Sequence, residues 1–328
     1  MEKETIKKIA ILFSQDGLPF RIEDKHLAEI RSVIPDAEIF LAPSEEKLLQ
    51  MTTDADMLMT WVTFSPVKFC KGAPSLKWVH CLNAGVNHVM VPGIADRDVI
   101  ITNTSGIHGY PISEFVLCLI LGQLHRIPHL MRQQQEKFWF RLQPDEAQGH
   151  TVGILGLGNI GKEIARKCKI MGFDVLGYKR KYEEYEYCDQ VYAGEEGLME
   201  LLREADFVVS TLPLSPITEK MMGREQFLAM KKGSYFINVG RGGTVDEPAL
   251  IWALQNGIIG GAGLDTYAVE PLPETSPLWH LPNVFISPHV SADSSLYMNR
   301  AFAIIRKNFK LYQNGEPLLN FVDKKVGY

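Results

Sequence analysis

Three side chains in the C-terminal half carry most of the chemistry open to this chain. Arg241 stands in Ile237-Asn238-Val239-Gly240-Arg241-Gly242-Gly243, Glu270 in Gly263-Leu264-Asp265-Thr266-Tyr267-Ala268-Val269-Glu270-Pro271, and His289 in Ile286-Ser287-Pro288-His289-Val290-Ser291. Each follows a stretch that reads as a strand. A guanidinium is always charged and meets a carboxylate at two points, and the glycines beside Arg241 would let the backbone approach a ligand. A Glu bonded to a His favours the protonated ring and fixes its tautomer, so the ring could give a proton to a carbonyl oxygen as hydride arrives. Singly, such an arginine is as often a surface ion pair, a lone Glu before Pro is usually a loop residue, and a lone histidine is more often structural than catalytic. Jointly they suit hydride transfer to a 2-keto acid, which needs a cation, an acid and fixed geometry.

A dinucleotide site is expected upstream. Val152–Gly161 reads as an apolar strand running into G-x-G-x-x-G and a helix. Gly156 would make the tight turn, Gly158 would admit a pyrophosphate, and Gly161 would pack helix against strand. The phosphates would lie at the positive end of the helix that begins near Asn159 and Ile160. The following strand ends Gly177-Tyr178-Lys179-Arg180-Lys181, where NAD-preferring sites carry an acid for the ribose 2′-OH. Cations there pair with a 2′-phosphate, so NADP(H) is expected over NAD(H) through Lys179 and Arg180. The competing view is a solvated basic loop, with Glu183, Glu184 and Glu186 just downstream.

The elements that must position these groups alternate along the chain. Short strands are expected at Ile9–Phe13, Glu38–Leu41, Met57–Trp61, Trp78–Leu82 and Val99–Asn103, with helices at His26–Val33 and Glu45–Met51. One long helical stretch, Pro111 to about Gln134, follows. A second series has strands at Val152–Leu155, Asp174–Tyr178, Val191–Tyr192, Phe207–Thr211, Tyr235–Val239, Gly263–Leu264 and Val284–Ile286. Helices near Gly197–Glu204, Arg224–Met230 and Glu247–Gln255 separate them, and a last helix runs Ser294–Tyr312. The fold class is therefore α/β: two Rossmann-like parallel-sheet domains with an active-site cleft between them. Residues 1–103, completed by a C-terminal segment 290–328, would form the substrate domain, and 104–289 the dinucleotide domain.

At 328 residues the chain is long enough for two cores. Its net charge of −5 points to neither nucleic acid nor an anionic membrane as partner. The five cysteines are odd in number and scattered, as for reduced core thiols of a cytoplasmic protein. No signal peptide or membrane span is expected from the short apolar runs Ile9–Phe13 and Phe115–Leu121. No carboxylate or histidine cluster has metal-ligand spacing.

Across almost its whole length the chain resembles the D-isomer-specific 2-hydroxyacid dehydrogenase family. The run Glu270-Pro271-Leu272-Pro273, Ser276-Pro277-Leu278-Trp279 and Pro288-His289 is similar to the glyoxylate/hydroxypyruvate reductase branch. The resemblance implies a catalytic set of Arg241, Glu270 and His289, and a nicotinamide carboxamide contact for Asp265. Further cofactor contacts are expected at Leu212, Pro213 and Val239. Asn83-Ala84-Gly85-Val86-Asn87 resembles the family loop whose amides hold the substrate carboxylate, with Asn87 where the family usually has Asp. Successive amides in a turn form such an anion nest. Substrate contacts are thus expected at Ala84, Gly85, Val86, Arg241 and His289. Trp61 would wall the pocket, although core packing explains it equally well. Trp139 matches a tryptophan that reaches a neighbouring subunit in some reductases of the family, and a homodimer is implied. The activity implied is NAD(P)H-dependent reduction of glyoxylate, hydroxypyruvate, pyruvate or a similar acid to the D-2-hydroxy acid. The alternative is a catalytically weak dinucleotide-sensing protein, because some corepressors share this fold. Formate dehydrogenase, of the same superfamily, lacks a Glu at the position of Glu270.

Overall fold

The structure is a computed structural model that describes residues 5–14, 16 and 18–324. It divides into two compact units. One contains the chain up to Ile107 together with everything from Asp293 onward; the other runs from His108 to Ala292.

The first unit is built on five parallel strands, β1 (Lys8–Leu12), β2 (Glu38–Ala42), β3 (Met57–Thr60), β4 (Trp78–Cys81) and β5 (Ile100–Asn103), in the order β2-β1-β3-β4-β5. Helices α1 (Asp24–Arg31), α2 (Glu45–Met51) and α3 (Val67–Gly72) connect them. Strands β3 and β4 are buried at every position, as parallel strands covered on both faces must be. The chain returns at its end to complete this unit. Its last helix, α10 (Tyr297–Asn314), buries Ala301, Phe302, Ile305 and Phe309 in the same core as Trp78. The segment after it bonds to the β5 edge through Asn320 O and Val322 N.

The second unit has seven parallel strands in the order β12-β11-β10-β9-β6-β7-β8. These are β6 (Thr151–Leu155), β7 (Asp174–Tyr178), β8 (Gln190–Tyr192), β9 (Phe207–Ser210), β10 (Tyr235–Asn238), β11 (Gly261–Leu264) and β12 (Val284–Ile286). The order reverses between β6 and β9, and in open α/β sheets ligands bind beyond the carboxyl ends of strands at such a switch point. Helices α6 (Asn159–Ile170), α7 (Gly194–Glu204), α8 (Arg224–Ala229) and α9 (Glu247–Gln255) connect the strands.

The single long helix expected from Pro111 to Gln134 is two helices, α4 (Gly109–Leu124) and α5 (Ile127–Glu136). The chain breaks at Arg126, whose φ of 58° ends the helical path, and α5 restarts with Pro128 in its first turn. All five cysteines are free; Cys70, Cys81 and Cys168 are buried, Cys188 is half-buried, and Cys118 lies exposed on α4 rather than in the core. Among the described residues, no helix is long and apolar enough to cross a membrane.

Candidate active site

The glycine loop joins β6 to α6 as a dinucleotide site requires. Gly156 has φ +100°, and a side chain there would also press on Thr211 Oγ1 at 2.9 Å. Its N–H donates to Tyr178 O at 3.0 Å, and its carbonyl accepts from Thr211 Oγ1 at 2.7 Å. A Cβ on Gly161 would lie 1.9 Å from Gly156 O, so only glycine permits this contact of helix and turn. At Gly158 a Cβ would meet nothing within 4 Å, which leaves an open face beside the backbone. Gly158 is the N-cap of α6 and supplies no side-chain cap, so first-turn amides remain for an anion. These features fit a dinucleotide pyrophosphate. Asn159 is exposed and Ile160 half-buried at the helix start; Pro213 is exposed, whereas Leu212 and Val239 are mostly turned into the core.

Arg241 follows β10 and is exposed, its Nη1 donating to Gly240 O at 2.8 Å. Its backbone is fixed from both sides: Asn238 Nδ2 and Thr244 Oγ1 donate to Arg241 O at 3.3 and 2.7 Å. The flanking glycines do not serve ligand approach as expected. A Cβ on Gly240 would meet Leu212 O at 2.6 Å, and one on Gly242 would meet Tyr267 O at 1.8 Å. Both are needed so that the Arg241 loop can press against neighbouring backbone. The second contact ties Arg241 to the loop that carries Glu270.

Glu270 and His289 form a pair. His289 Nδ1 lies 2.8 Å from Glu270 Oε2, and Glu270 Oε1 accepts from Tyr267 N at 3.0 Å. With Nδ1–H given to the carboxylate, Nε2 is the ring atom left to exchange a proton with a ligand. A largely apolar recess of about 530 Å³, walled in part by Leu272, Trp279 and Ile286, borders the pair.

His289 itself has φ +54°, unusual for a residue with a side chain. Asp265 holds that conformation in place. Fully buried, it accepts from Ser287 Oγ (2.7 Å) and Val290 N (2.9 Å) through Oδ1 and from Ser291 N (3.0 Å) through Oδ2. Its carboxylate thus holds the loop around His289, with one bond to Oδ2. Tyr267 adds a second anchor, its buried hydroxyl accepting from Ser287 N and lying 2.8 Å from Leu264 O.

His108, at the start of α4, was not singled out from the sequence. Burial, and then the charge of Arg241, hold its imidazole down to about 4. A Cβ on the adjacent Gly109 would sit 3.3 Å from Asn159 O, which places this helix start against the start of α6. The only sequence signal was a histidine set between Gly106 and Gly109 ahead of an apolar helix.

On the basic loop, Lys179 is half-buried and ion-paired with Glu183, while Arg180 is exposed. In the first unit, the Asn83–Asn87 loop spends its carbonyls internally. Asn83 O accepts from Thr104 N, Ala84 O from Asn103 Nδ2, and Val86 O from Val89 and Met90 N. No acceptor is assigned to the amides of Ala84, Gly85 and Val86 among the described residues, which leaves the donors an anion nest would use. Trp61 is different. It is 8% exposed and packs edge-on to Phe20 and Tyr297 at centroid distances of 5.1 and 5.5 Å, so the structure gives it core packing rather than a pocket wall. Trp139, past the end of α5, is 96% exposed between exposed Phe138 and Phe140.

Residues 117–291 match the model of the D-isomer specific 2-hydroxyacid dehydrogenase NAD binding domain. The chain is 31% identical over 293 residues to a glyoxylate reductase of Korarchaeum cryptofilum (strain OPF8), covering 87% of each chain. It is also similar to a D-isomer specific 2-hydroxyacid dehydrogenase from Xanthobacter autotrophicus Py2 solved with NADPH and MES. Identity there is 31% and the TM-score 0.81, over 99% of this chain and 100% of that one. An NADPH-dependent glyoxylate/hydroxypyruvate reductase from Sinorhizobium meliloti, solved with NADP and sulfate, gives 29% identity and a TM-score of 0.79 over 98% and 100%.

Proposed function

The chain belongs to the D-isomer specific 2-hydroxyacid dehydrogenase family, and from that premise we propose that it reduces a small 2-keto acid to the D-2-hydroxy acid with NADPH preferred to NADH. Glyoxylate, hydroxypyruvate and pyruvate are the leading substrates. The observation that carries this reading is the 2.8 Å His289–Glu270 pair, held by Asp265 in the same unit as an intact glycine loop.

The nicotinamide, when bound, supplies or accepts the hydride. Arg241 engages the carboxylate and carbonyl of the substrate by two-point contact. In the first unit, the amides of Ala84, Gly85 and Val86 offer donors to an anion. His289 Nε2 gives a proton to the carbonyl oxygen during reduction and takes it back during oxidation, while Glu270 supports the charged ring. The free cysteines suit a reducing compartment, and we assign the protein to the cytoplasm. A homodimer is the proposed assembly, with exposed Phe138, Trp139 and Phe140 as apolar surface for a second copy.

The test is steady-state oxidation of NADPH and NADH in parallel against glyoxylate, hydroxypyruvate, pyruvate, phenylpyruvate and 2-ketoisocaproate. Fast turnover of one of the small acids with NADPH is expected. Dinucleotide binding without turnover of any member would overturn the enzymatic reading in favour of a sensor. For the cofactor, Arg180→Asp is expected to shift the NADPH/NADH ratio of kcat/KM toward NADH by about tenfold, the factor that ~1.4 kcal/mol is worth. An unchanged ratio removes Arg180 from the 2′-phosphate site.

A further inference from the structure

The glycine-loop end of the second unit holds a carboxylate that nothing described so far employs. Lys179 stands at the end of β7, where an NAD-preferring site would carry its acid. Its ammonium is bonded to the carboxylate of Glu183, four residues on. The other oxygen of that carboxylate lies 3.9 Å from Lys162 Nζ, in the first turn of α6. Lys162 is held in turn by Tyr185, whose ring lies 5.0 Å beneath its ammonium and whose hydroxyl donates to Lys162 O at 3.3 Å. One carboxylate thus spans two cations, one on the strand end and one on the helix that starts at the glycine loop.

We propose that Glu183 is a built-in counter-ion that sets the choice between the two nicotinamide dinucleotides. The inference rests on the reading that Lys179 and Arg180 border the ribose 2′ position. A 2′-phosphate must compete with Glu183 for Lys179 and is repelled by it; a 2′-hydroxyl can instead donate to it. The acid missing from the strand end is in this way returned from the loop, paired with the lysine that took its place. Glu183 therefore restrains the NADPH preference that the basic residues create and preserves a useful affinity for NADH. A purely structural role, ordering the loop after β7, would change both affinities in the same direction.

The experiment is fluorescence titration of the full chain with NADPH and with NADH, without substrate, at low and high salt. In Glu183→Gln, NADPH should bind about 5- to 10-fold more tightly and NADH about 2- to 3-fold more weakly, with the NADPH gain shrinking as salt screens the charges. In a Lys179→Gln background the NADPH gain should shrink, because the part that comes from freeing Lys179 is gone and only relief of direct repulsion remains. Parallel changes for the two cofactors, no change, or a gain undiminished by loss of Lys179 would each overturn the proposal. The parent reading fails separately: if the basic loop does not border the ribose, Arg180→Asp leaves NADPH affinity unchanged, whatever Glu183 does.

Discussion

His289→Gln is expected to lower kcat for keto-acid reduction by about 10³, within the 10²–10⁴ that a positioned general acid contributes, while leaving NADPH affinity within about twofold. The geometry separates the two effects. The ring bonds through Nδ1 to Glu270, and its loop is fixed by Asp265 and Tyr267, so Gln perturbs the proton donor and leaves the glycine loop alone. Glu270→Gln should lower kcat less, because it removes the support for the charged ring while keeping the donor. Initial rates in both directions, with cofactor titrations alongside, check this. An unchanged kcat, or a loss of kcat matched by a loss of NADPH binding, would remove His289 from the proton step.

The strands and the placement of Arg241, Glu270 and His289 after them were legible for a common reason: each depends on local composition. Parallel strands buried on both faces must be apolar runs, and β7 and β12 fall on the expected residues without adjustment. Arg241, Glu270 and His289 each follow a strand of one parallel sheet, so the topology gathers their loops at its carboxyl edge. What was not legible depends on contacts between distant segments. The i, i+3, i+4 pattern of α4 ran on past Leu124, and neither His125 nor Arg126 is a helix breaker; Pro128, in the first turn of α5, was the one available signal. Helix α3 spans six residues, too few for a periodic pattern to stand out. Gly240 and Gly242 looked like ligand-facing glycines because their partners, Leu212 and Tyr267, lie elsewhere in the chain. The loop-holding bonds of Asp265 were not foreseen, because only the folded loop shows Ser287, Val290 and Ser291 converging on it. The acids downstream of Lys179 were visible, but which of Glu183, Glu184 and Glu186 pairs with it was not, because a pair four residues apart in a non-helical loop has no sequence signature.

Acidification should destabilise the first unit before most of its carboxylates titrate. His80 is fully buried on β4 in a directed chain of hydrogen bonds. Trp78 Nε1 donates to Thr102 Oγ1 (2.8 Å), which lies 2.7 Å from His80 Nδ1; His80 Nε2 lies 3.1 Å from Thr104 Oγ1, which donates to Cys81 O (2.9 Å). If each hydroxyl accepts one proton and passes on its own, His80 is neutral with its proton on Nε2, and a second proton on Nδ1 would strand the Thr102 hydroxyl. Burial holds this imidazole down to about 3. His88, whose two buried ring nitrogens have no hydrogen-bond partner among the described residues, is held down to about 4 by the same cause. Both folded values lie below the ordinary 6.5, so the unfolded chain takes up protons first and stability falls as pH drops below 6.5. At ~1.4 kcal/mol per proton and pH unit, each histidine should cost the unit roughly 2 kcal/mol by pH 5, about 4 kcal/mol together. Glu45, whose carboxyl is raised by burial, opposes part of this fall. Urea titrations at pH 8 and pH 5, with hydrogen exchange at β3–β5 to isolate the first unit, measure the change. His80→Gln keeps a donor and an acceptor without titrating and should remove about half of the dependence, the share of one of two protons. A midpoint equal at both pH values, or a His80→Gln variant with the full dependence, would show that the chain through Trp78, Thr102 and Thr104 accommodates the second proton after all.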